Sequence, residues 1–328
     1  MIPFTHFNAK TVKEACALLE KHKGKAALNA GGTDLIGVMK SEIFTDYPGI
    51  LINIKTIPRL EYIRETDKKL KIGALTRLSS ILNSSILKKH CKVLIDATHS
   101  VATPQIRNAA TIGGNLCQDV RCWYYRYPRQ IGGPLECLRK GKGPCLAVKG
   151  DNRYHAIIGG KKCFAVCPSD IAVTLAAMNA KIVIAGMDTQ RRILVTDLFT
   201  PTGTTLKRSE MVKGIEIPIK NGMRTRQKFF KFTLRKGVDF AIVSVASVLA
   251  VERGVCRDAS IVLGAVAPGP VRAKAAEEKL IGRRITEEIA NEAAEAALEG
   301  ARPLSKNAYK IQIAKTLVKR AIMAGVNV

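Results

Sequence analysis

The feature that most restricts what this chain can become is the stretch from Ala109 to Cys167. It opens Ala-Ala-Thr-Ile-Gly-Gly-Asn-Leu-Cys over residues 109–117. It then places Cys117, Cys122, Cys137, Cys145, Cys163 and Cys167 in a basic segment rich in proline and glycine. With Pro128, Pro134, Pro144, Gly132, Gly133, Gly141, Gly143 and Gly150, that segment can hold little regular structure. So long a loop in a compact domain is uncommon unless it is functional. A bound cluster would supply the stabilisation its backbone lacks. A glycine turn able to hold a phosphate thus runs into a group of thiols, a pairing that points to one redox cofactor beside another.

The rest of the composition narrows the compartment and the partners. The chain has 328 residues, 47% of them hydrophobic, enough for two or three ordinary cores. No apolar run approaches the roughly 18 residues of a membrane span. Residues 1–7 lack a basic segment followed by an apolar one, which argues against a signal peptide and for a cytoplasmic location. In that compartment nine cysteines are not a disulfide framework. Six of them fall in one window, which favours ligation of a metal or cluster. The formal charge of +26 fits a solvated basic surface with an acidic protein partner, or else nucleic acid. Aromatic residues are only 5% and no nucleic-acid-binding signature is present, so nucleic acid is the weaker reading.

Taken in order, residues 11–22 have the period of an amphipathic helix, with a capping box of Thr11 and Glu14 and with Cys16 as a small core residue. A strand at 26–30 ends in Gly31-Gly32-Thr33-Asp34, a helix follows over 35–40, and another strand spans 50–54. This predicts a small α/β lobe. Residues 60–75 alternate as a hairpin. Thr76 or Ser79 then caps a helix reaching toward Leu87, with a further helical turn or two at 92–100. After the cysteines come a helix at 170–178, a strand at 181–184, and segments 195–199 and 211–218 closing a second lobe. Beyond a basic linker at 220–226, a sheet of 229–234, 241–251 and 259–264 precedes helices at 272–281, 286–299 and 308–323. Strands first and helices last make an α+β domain.

Several groups could carry chemistry. Gly31-Gly32-Thr33-Asp34, between a strand and a helix, lets backbone approach a ligand and offers N–H groups to an anion such as a pyrophosphate. An ordinary tight turn is the competing reading, because the pattern is neither the dinucleotide fingerprint nor the P-loop. Thr111-Ile112-Gly113-Gly114-Asn115 is a second such turn, and two turns can clasp one dinucleotide from both sides. The thiols include a C-x4-C spacing at Cys117 and Cys122 and a C-x3-C-P at Cys163, Cys167 and Pro168. The second echoes the end of a ferredoxin run. Four thiolates suit an iron–sulfur cluster or structural zinc, and the absence of C-x2-C knuckles favours the cluster. Scattered buried cysteines remain open. Arg121, Arg126, Arg129, Arg139, Lys140 and Lys142 either offset thiolate charge or belong to the general basic surface. Asp170, opening a helix, is a cap or a ribose contact. Lys231 is by default a solvated charge. His6, His22, His90, His99 and His155 form no metal-spaced set and receive no role. No catalytic residue emerges.

Over its whole length the chain resembles the FAD-binding subunits of the molybdenum hydroxylases, the group of xanthine dehydrogenase and aerobic carbon monoxide dehydrogenase. The resemblance lies in Ala30-Gly31-Gly32-Thr33-Asp34-Leu35, in Arg107-Asn108 through Leu116, in Ile215-Glu216-Ile217-Pro218, in Gly264 through Arg272, and in Leu317-Val318-Lys319-Arg320-Ala321. Asn115 through Cys122 is most similar to the β subunit of 4-hydroxybenzoyl-CoA reductase, a branch with an extra [4Fe–4S] cluster in an insertion there. The resemblance implies an α+β fold. A two-lobed PCMH-type FAD-binding domain covers residues 1–220, with lobes at about 1–57 and 58–220 and an iron–sulfur insertion at 117–167. A CO dehydrogenase flavoprotein-type C-terminal domain covers 224–328. It also implies FAD at Ala30, Gly31, Gly32, Thr33, Asp34, Leu35, Thr111, Gly113, Gly114, Asn115, Asp170 and Lys231. A [4Fe–4S] cluster would lie on Cys122, Cys137, Cys145 and Cys163, with Cys167 a spare thiol or rival ligand and Cys117 left out.

The expected activity is that of an electron-transfer subunit. It would work with a small [2Fe–2S] subunit and a large molybdopterin subunit, and with a ferredoxin-like or NAD-type carrier. The alternative is an FAD subunit that reduces NAD or quinone, with zinc or nothing at the cysteines.

Overall fold

The computed structural model describes residues 1–44, 47–219, 225–235 and 237–326. Positions 220–224 of the expected basic linker, and with them the first residue of the expected C-terminal domain, lie outside the described residues, as do 327 and 328.

The first lobe holds β1 (Thr5–Asn8), α1 (Val12–Lys21), β2 (Ala26–Asn29), α2 (Leu35–Ser41) and β3 (Ile50–Asn53). Its three strands pair in the order β1-β3-β2, all parallel. The crossovers that parallel pairing requires are the two helices. Thr11 caps α1 by accepting from the Glu14 amide at 3.0 Å. The Glu14 carboxylate reaches back to the Lys10 amide, at 2.7 Å, one residue short of the expected box. Ala15, Cys16 and Leu19 bury that helix against Ile52 and Ile54. The strand β1 has no hydrophobic alternation of its own (its residues are Thr-His-Phe-Asn) and exists through its pairing with β3.

The second lobe contains β4 (Ile63–Glu65), β5 (Lys69–Gly73), α3 (Leu78–Asn83), α4 (Ser85–His90), α5 (Lys92–His99), α6 (Pro104–Ala109) and α7 (Ile112–Cys117). After the cysteine segment come α8 (Asp170–Ala177), β6 (Lys181–Ala185), β7 (Gln190–Leu194), β8 (Phe199–Thr200), β9 (Gly203–Thr204) and β10 (Met211–Pro218). An antiparallel sheet in the order β4-β5-β10-β6-β7 forms its floor. Neither Thr76 nor Ser79 caps the helix after the hairpin. Arg77 stands at that N-cap without a side-chain bond, and the helix breaks at Ser84, whose hydroxyl caps α4. The Thr76 hydroxyl is instead spent on the Tyr62 backbone, across the hairpin. Segment 195–199 is largely a 3-10 turn (Val195–Leu198).

The last domain is a sheet of β11 (Thr225–Phe232), β12 (Val243–Glu252), β13 (Val255–Gly264) and β14 (Val271–Arg272), followed by α9 (Lys274–Leu280), α10 (Glu287–Ala296) and α11 (Tyr309–Met323). Successive side chains of a strand face opposite ways. Val243, Val245 and Leu249 accordingly pack on the C-terminal helices, while Ala246 and Val248 join the core of the second lobe. An apolar run without alternation is thus a strand covered on both faces, and it welds the C-terminal domain to the second lobe.

Between α7 and α8 the only regular pieces among the described residues are 3-10 turns at Arg129–Ile131 and Leu138–Lys140. This segment packs through a small core of its own, where Val120, Tyr125, Cys137, Cys163 and Ala165 meet Val38 and Ile43 of the first lobe.

Candidate functional site

A cleft of about 530 Å³ opens where the lobes and the C-terminal sheet meet, a size usual for cofactor sites. The β2–α2 turn forms one wall, with Ala30, Gly31, Gly32, Thr33, Asp34 and Leu35 all lining it. Thr111, Gly114 and Asn115 line the opposite wall, and Asp170 and Lys231 close the inner end. The fold therefore gathers eleven of the twelve expected nucleotide-site residues; Gly113 lies behind the wall.

The two glycine turns differ in where their amides go. Among the described residues no carbonyl or side chain accepts from the N–H groups of Gly31, Gly32, Thr33 or Asp34. Gly32 holds φ +70°, the left-handed region that favours glycine. A Cβ on Gly31 would lie 2.2 Å from the Ala109 carbonyl oxygen, so that glycine lets the lobes touch. At the second turn the amides of residues 112–115 are all used. Ile112 donates to Thr76 O at 2.9 Å, Gly113 to Ala74 O at 2.9 Å, Gly114 to the Thr111 hydroxyl at 3.2 Å and Asn115 to Thr111 O at 2.8 Å. Thr111 thereby caps α7. A Cβ on Gly113 would meet Ala74 at 2.9 Å, so its role is close packing.

The electrostatics also depart from the sequence reading. The Asp34 carboxylate, 18% exposed, takes Arg121 at 2.5 Å, Arg126 at 2.8 Å and the Asp119 amide at 2.8 Å. Burial alone would raise its pKa, but the two guanidiniums and the amide prevail and hold it below the usual carboxylate range. Asp34 thus ties the first turn to the start of the cysteine segment. Lys231 is not a solvated charge: its ammonium, 9% exposed, sits 2.8 Å from Asp170 and 3.0 Å from the Ser100 carbonyl. Asp170 is not the cap of α8, a role taken by Ser169, whose hydroxyl also donates to Asn115 Oδ1 at 2.6 Å. Two polar atoms on the cleft residues, Asn29 Oδ1 and Arg121 Nε, are buried without a partner. Sequence reasoning missed Asn29, which belongs to no motif, and placed Arg121 beside the thiols rather than in the cleft.

A second, smaller cavity begins one residue from the first. Cys122, Cys137, Cys145 and Cys163 all line it, with Tyr125 and Arg139. Burial pushes the Cys122 thiol up to about 11, and the neighbouring Cys163 and Cys137 add to the shift. Burial raises Cys163 as well, against the Ala165 amide and the Arg139 guanidinium. Arg139 in turn pairs with Asp119 at 3.1 Å, and Tyr125 donates to the same carboxylate at 2.5 Å, so one acidic residue braces both cavities. Among the described residues no three histidine, cysteine or carboxylate groups are placed to hold a single metal ion. Cys167 stays out of the cavity; it is buried in the core of the second lobe, its thiol pushed up to about 12 by burial. Cys117 lines the larger cleft. His155, given no role from sequence, places Nε2 3.2 Å from Cys122 Sγ.

Fold and cleft together describe a class of protein, two α/β lobes and an α+β domain around a cofactor-sized cleft. Comparison with known families sharpens this. Residues 2–220 match the FAD-binding domain of molybdopterin dehydrogenases, and residues 228–324 match the CO dehydrogenase flavoprotein C-terminal domain. The chain belongs to this family of FAD-binding medium subunits of molybdenum hydroxylases, and is the flavoprotein part of an oxidoreductase. It is 31% identical to the aldehyde oxidoreductase FAD-binding subunit PaoB of Escherichia coli, over 96% of each chain. It is 29% identical to the carbon monoxide dehydrogenase medium chain of Hydrogenophaga pseudoflava, over 99% of this chain and 98% of the relative. A solved structure of the carbon monoxide dehydrogenase from that organism superposes with a TM-score of 0.79 at 28% identity, covering 99% of this chain and 98% of that one. No helix among the described residues is long and apolar enough to cross a membrane.

Proposed function

We propose that this chain relays electrons between FAD, held in the larger cleft, and a [4Fe–4S] cluster on Cys122, Cys137, Cys145 and Cys163, as in enzymes like 4-hydroxybenzoyl-CoA reductase. The observation that carries this is the adjacency of the two cavities: Arg121 lines the first and Cys122 the second, about 3.8 Å apart along the backbone.

The free amides of Gly31 through Asp34 suit a pyrophosphate. Thr111, Gly114 and Asn115 shape the opposite wall, with Gly113 packing behind them. Asp170 offers an acceptor for a ribose or ring N–H, and Lys231 fixes its orientation. Asn29 Oδ1 and Arg121 Nε offer the unpaired acceptor and donor that a polar cofactor would satisfy. Four thiols around one cavity, with half-buried Arg139 to offset their charge, are the donor set of an iron–sulfur cube. When bound, FAD exchanges electrons in pairs or singly, and the cluster exchanges one at a time. This chain's residues supply position, charge compensation and exclusion of water.

On this reading the partners are a small [2Fe–2S] subunit and a large molybdopterin subunit, where substrate reacts. A ferredoxin-like or NAD-type carrier exchanges electrons with the flavoprotein. The test is anaerobic purification with flavin and metals quantified together. One FAD and about four irons per chain are expected from the four-thiolate argument. Flavin with zinc, or flavin alone, would replace the cluster reading with that of a subunit reducing NAD or quinone. A colourless protein would end both.

A further inference from the structure

Two facts about His155 meet at Cys122. Its imidazole Nε2 lies 3.2 Å from the sulfur. His155 lines a cavity of about 420 Å³, and neighbouring groups hold its backbone and pack on its ring. The residue is 3% exposed. Trp123 and Tyr124 pack on the ring with centroids at 5.9 and 6.2 Å. The His155 amide donates to Asn152 O at 2.9 Å. Its carbonyl accepts from the fully buried Lys310 ammonium at 3.0 Å and from Asn307 at 3.1 Å. The C-terminal domain thus reaches across to set one side chain of the cysteine segment. The other ring nitrogen, Nδ1, is buried with no partner, so nothing competes to hold the proton there.

We infer that His155 is a positioning residue for the four-iron site, donating an Nε2–H···S hydrogen bond to Cys122 and thereby setting the reduction potential of the bound cluster. The inference rests on the cluster reading above and deepens it. A ligand thiolate has no proton to give, so the nitrogen that touches it carries the hydrogen. Reduction adds negative charge to the cluster and its sulfurs. A fixed N–H dipole aimed at one sulfur stabilises that charge and raises the potential. Cys122 is the thiolate next to Arg121 and the flavin cleft, so the bond acts on the side of the cluster facing the electron path. Ligand-bound groups are commonly held by such outer partners.

The test is a redox titration of the anaerobically purified complex, following the four-iron signal by electron paramagnetic resonance. His155→Leu should keep its iron and shift the reduction equilibrium about tenfold toward the oxidised cluster, which for one electron is about 59 mV lower. His155→Gln, which keeps a donor, should recover most of that shift. An unchanged potential in an iron-replete His155→Leu protein overturns the inference and leaves the cluster reading intact. If the leucine variant loses its cluster, the wild-type complex decides. With 15N-histidine, pulsed resonance of the reduced cluster should show an imidazole coupling that disappears in His155→Gln, and its absence from the wild type overturns the inference. A wild-type protein without iron overturns both readings.

Discussion

The two Gly-Gly turns look alike on paper and do opposite work. Gly31-Gly32 leaves its amides open toward the cleft, whereas Gly113-Gly114 spends its amides on Ala74 and Thr111. Gly31 and Gly113 are the close-packed members, each there because backbone or Ala74 stands where a side chain would go. Gly32 and Gly114 line the cleft with only side chains beside them. A glycine pair is therefore not one signal: the member that close packing requires and the member with room beside it must be told apart, and only neighbours distant in sequence do so.

Gly31→Ala should have the largest effect. Its Cβ would overlap a backbone oxygen at 2.2 Å, which cannot give as a side chain can. The expected cost is above about 3 kcal/mol, seen as a lowered denaturation midpoint and loss of bound flavin. Gly113→Ala meets the Ala74 side chain and carbonyl at 2.9 Å and should cost about 1–3 kcal/mol. Flavin loss in that variant should track stability alone, because the Gly113 amide faces Ala74. A flavin defect at full stability would refute its placement behind the wall.

Asp34→Asn probes what anchors the open turn. Hydrogen bonds to a charged group contribute about 1.5–3 kcal/mol, so the variant should lose stability and flavin affinity at neutral pH. The Asp34 pKa is depressed in the folded chain. Its contribution is therefore complete above the unfolded value of about 3.9 and is lost as pH falls through the folded one. Denaturation curves of wild type and variant should run apart at neutral pH and converge below about pH 4. The smallest effect on stability belongs to Gly114→Ala. The new methyl would meet only the Thr111 hydroxyl, at 3.0 Å, and alanine gains up to about 1 kcal/mol in a helix. Stability should hold or rise while the dissociation constant for FAD increases, as measured by flavin titration of the apoprotein.

Much of the scaffold was legible from the residues. The 3.6-residue period at 11–22 and the cap at Thr11 mark a helix through local hydrogen bonds that need no distant partner. The apolar run at 241–251 reads as a strand, although its double coverage does not show until the helices and the second lobe close on it. The strand β1 and the helix α6 escaped notice because each is short. One is held by pairing with β3, and the other is an ordinary one-turn helix started by Thr103 and Pro104.

The residues alone set the class of chain: a glycine turn between a strand and a helix, a second one just before a stretch that holds six of the nine cysteines and little regular structure, and an order of elements that matches the family domains. Tertiary structure alone decided which groups act. It paired Lys231 with Asp170, drew Asp34 to Arg121 and Arg126, left Cys167 in a core, and brought His155 to Cys122. The physical reason is that a buried polar group is defined by the partner that satisfies it. Lys231 finds the Ser100 carbonyl 131 positions away, and Asp34 finds Arg121 at 87. No local pattern records partners at those separations.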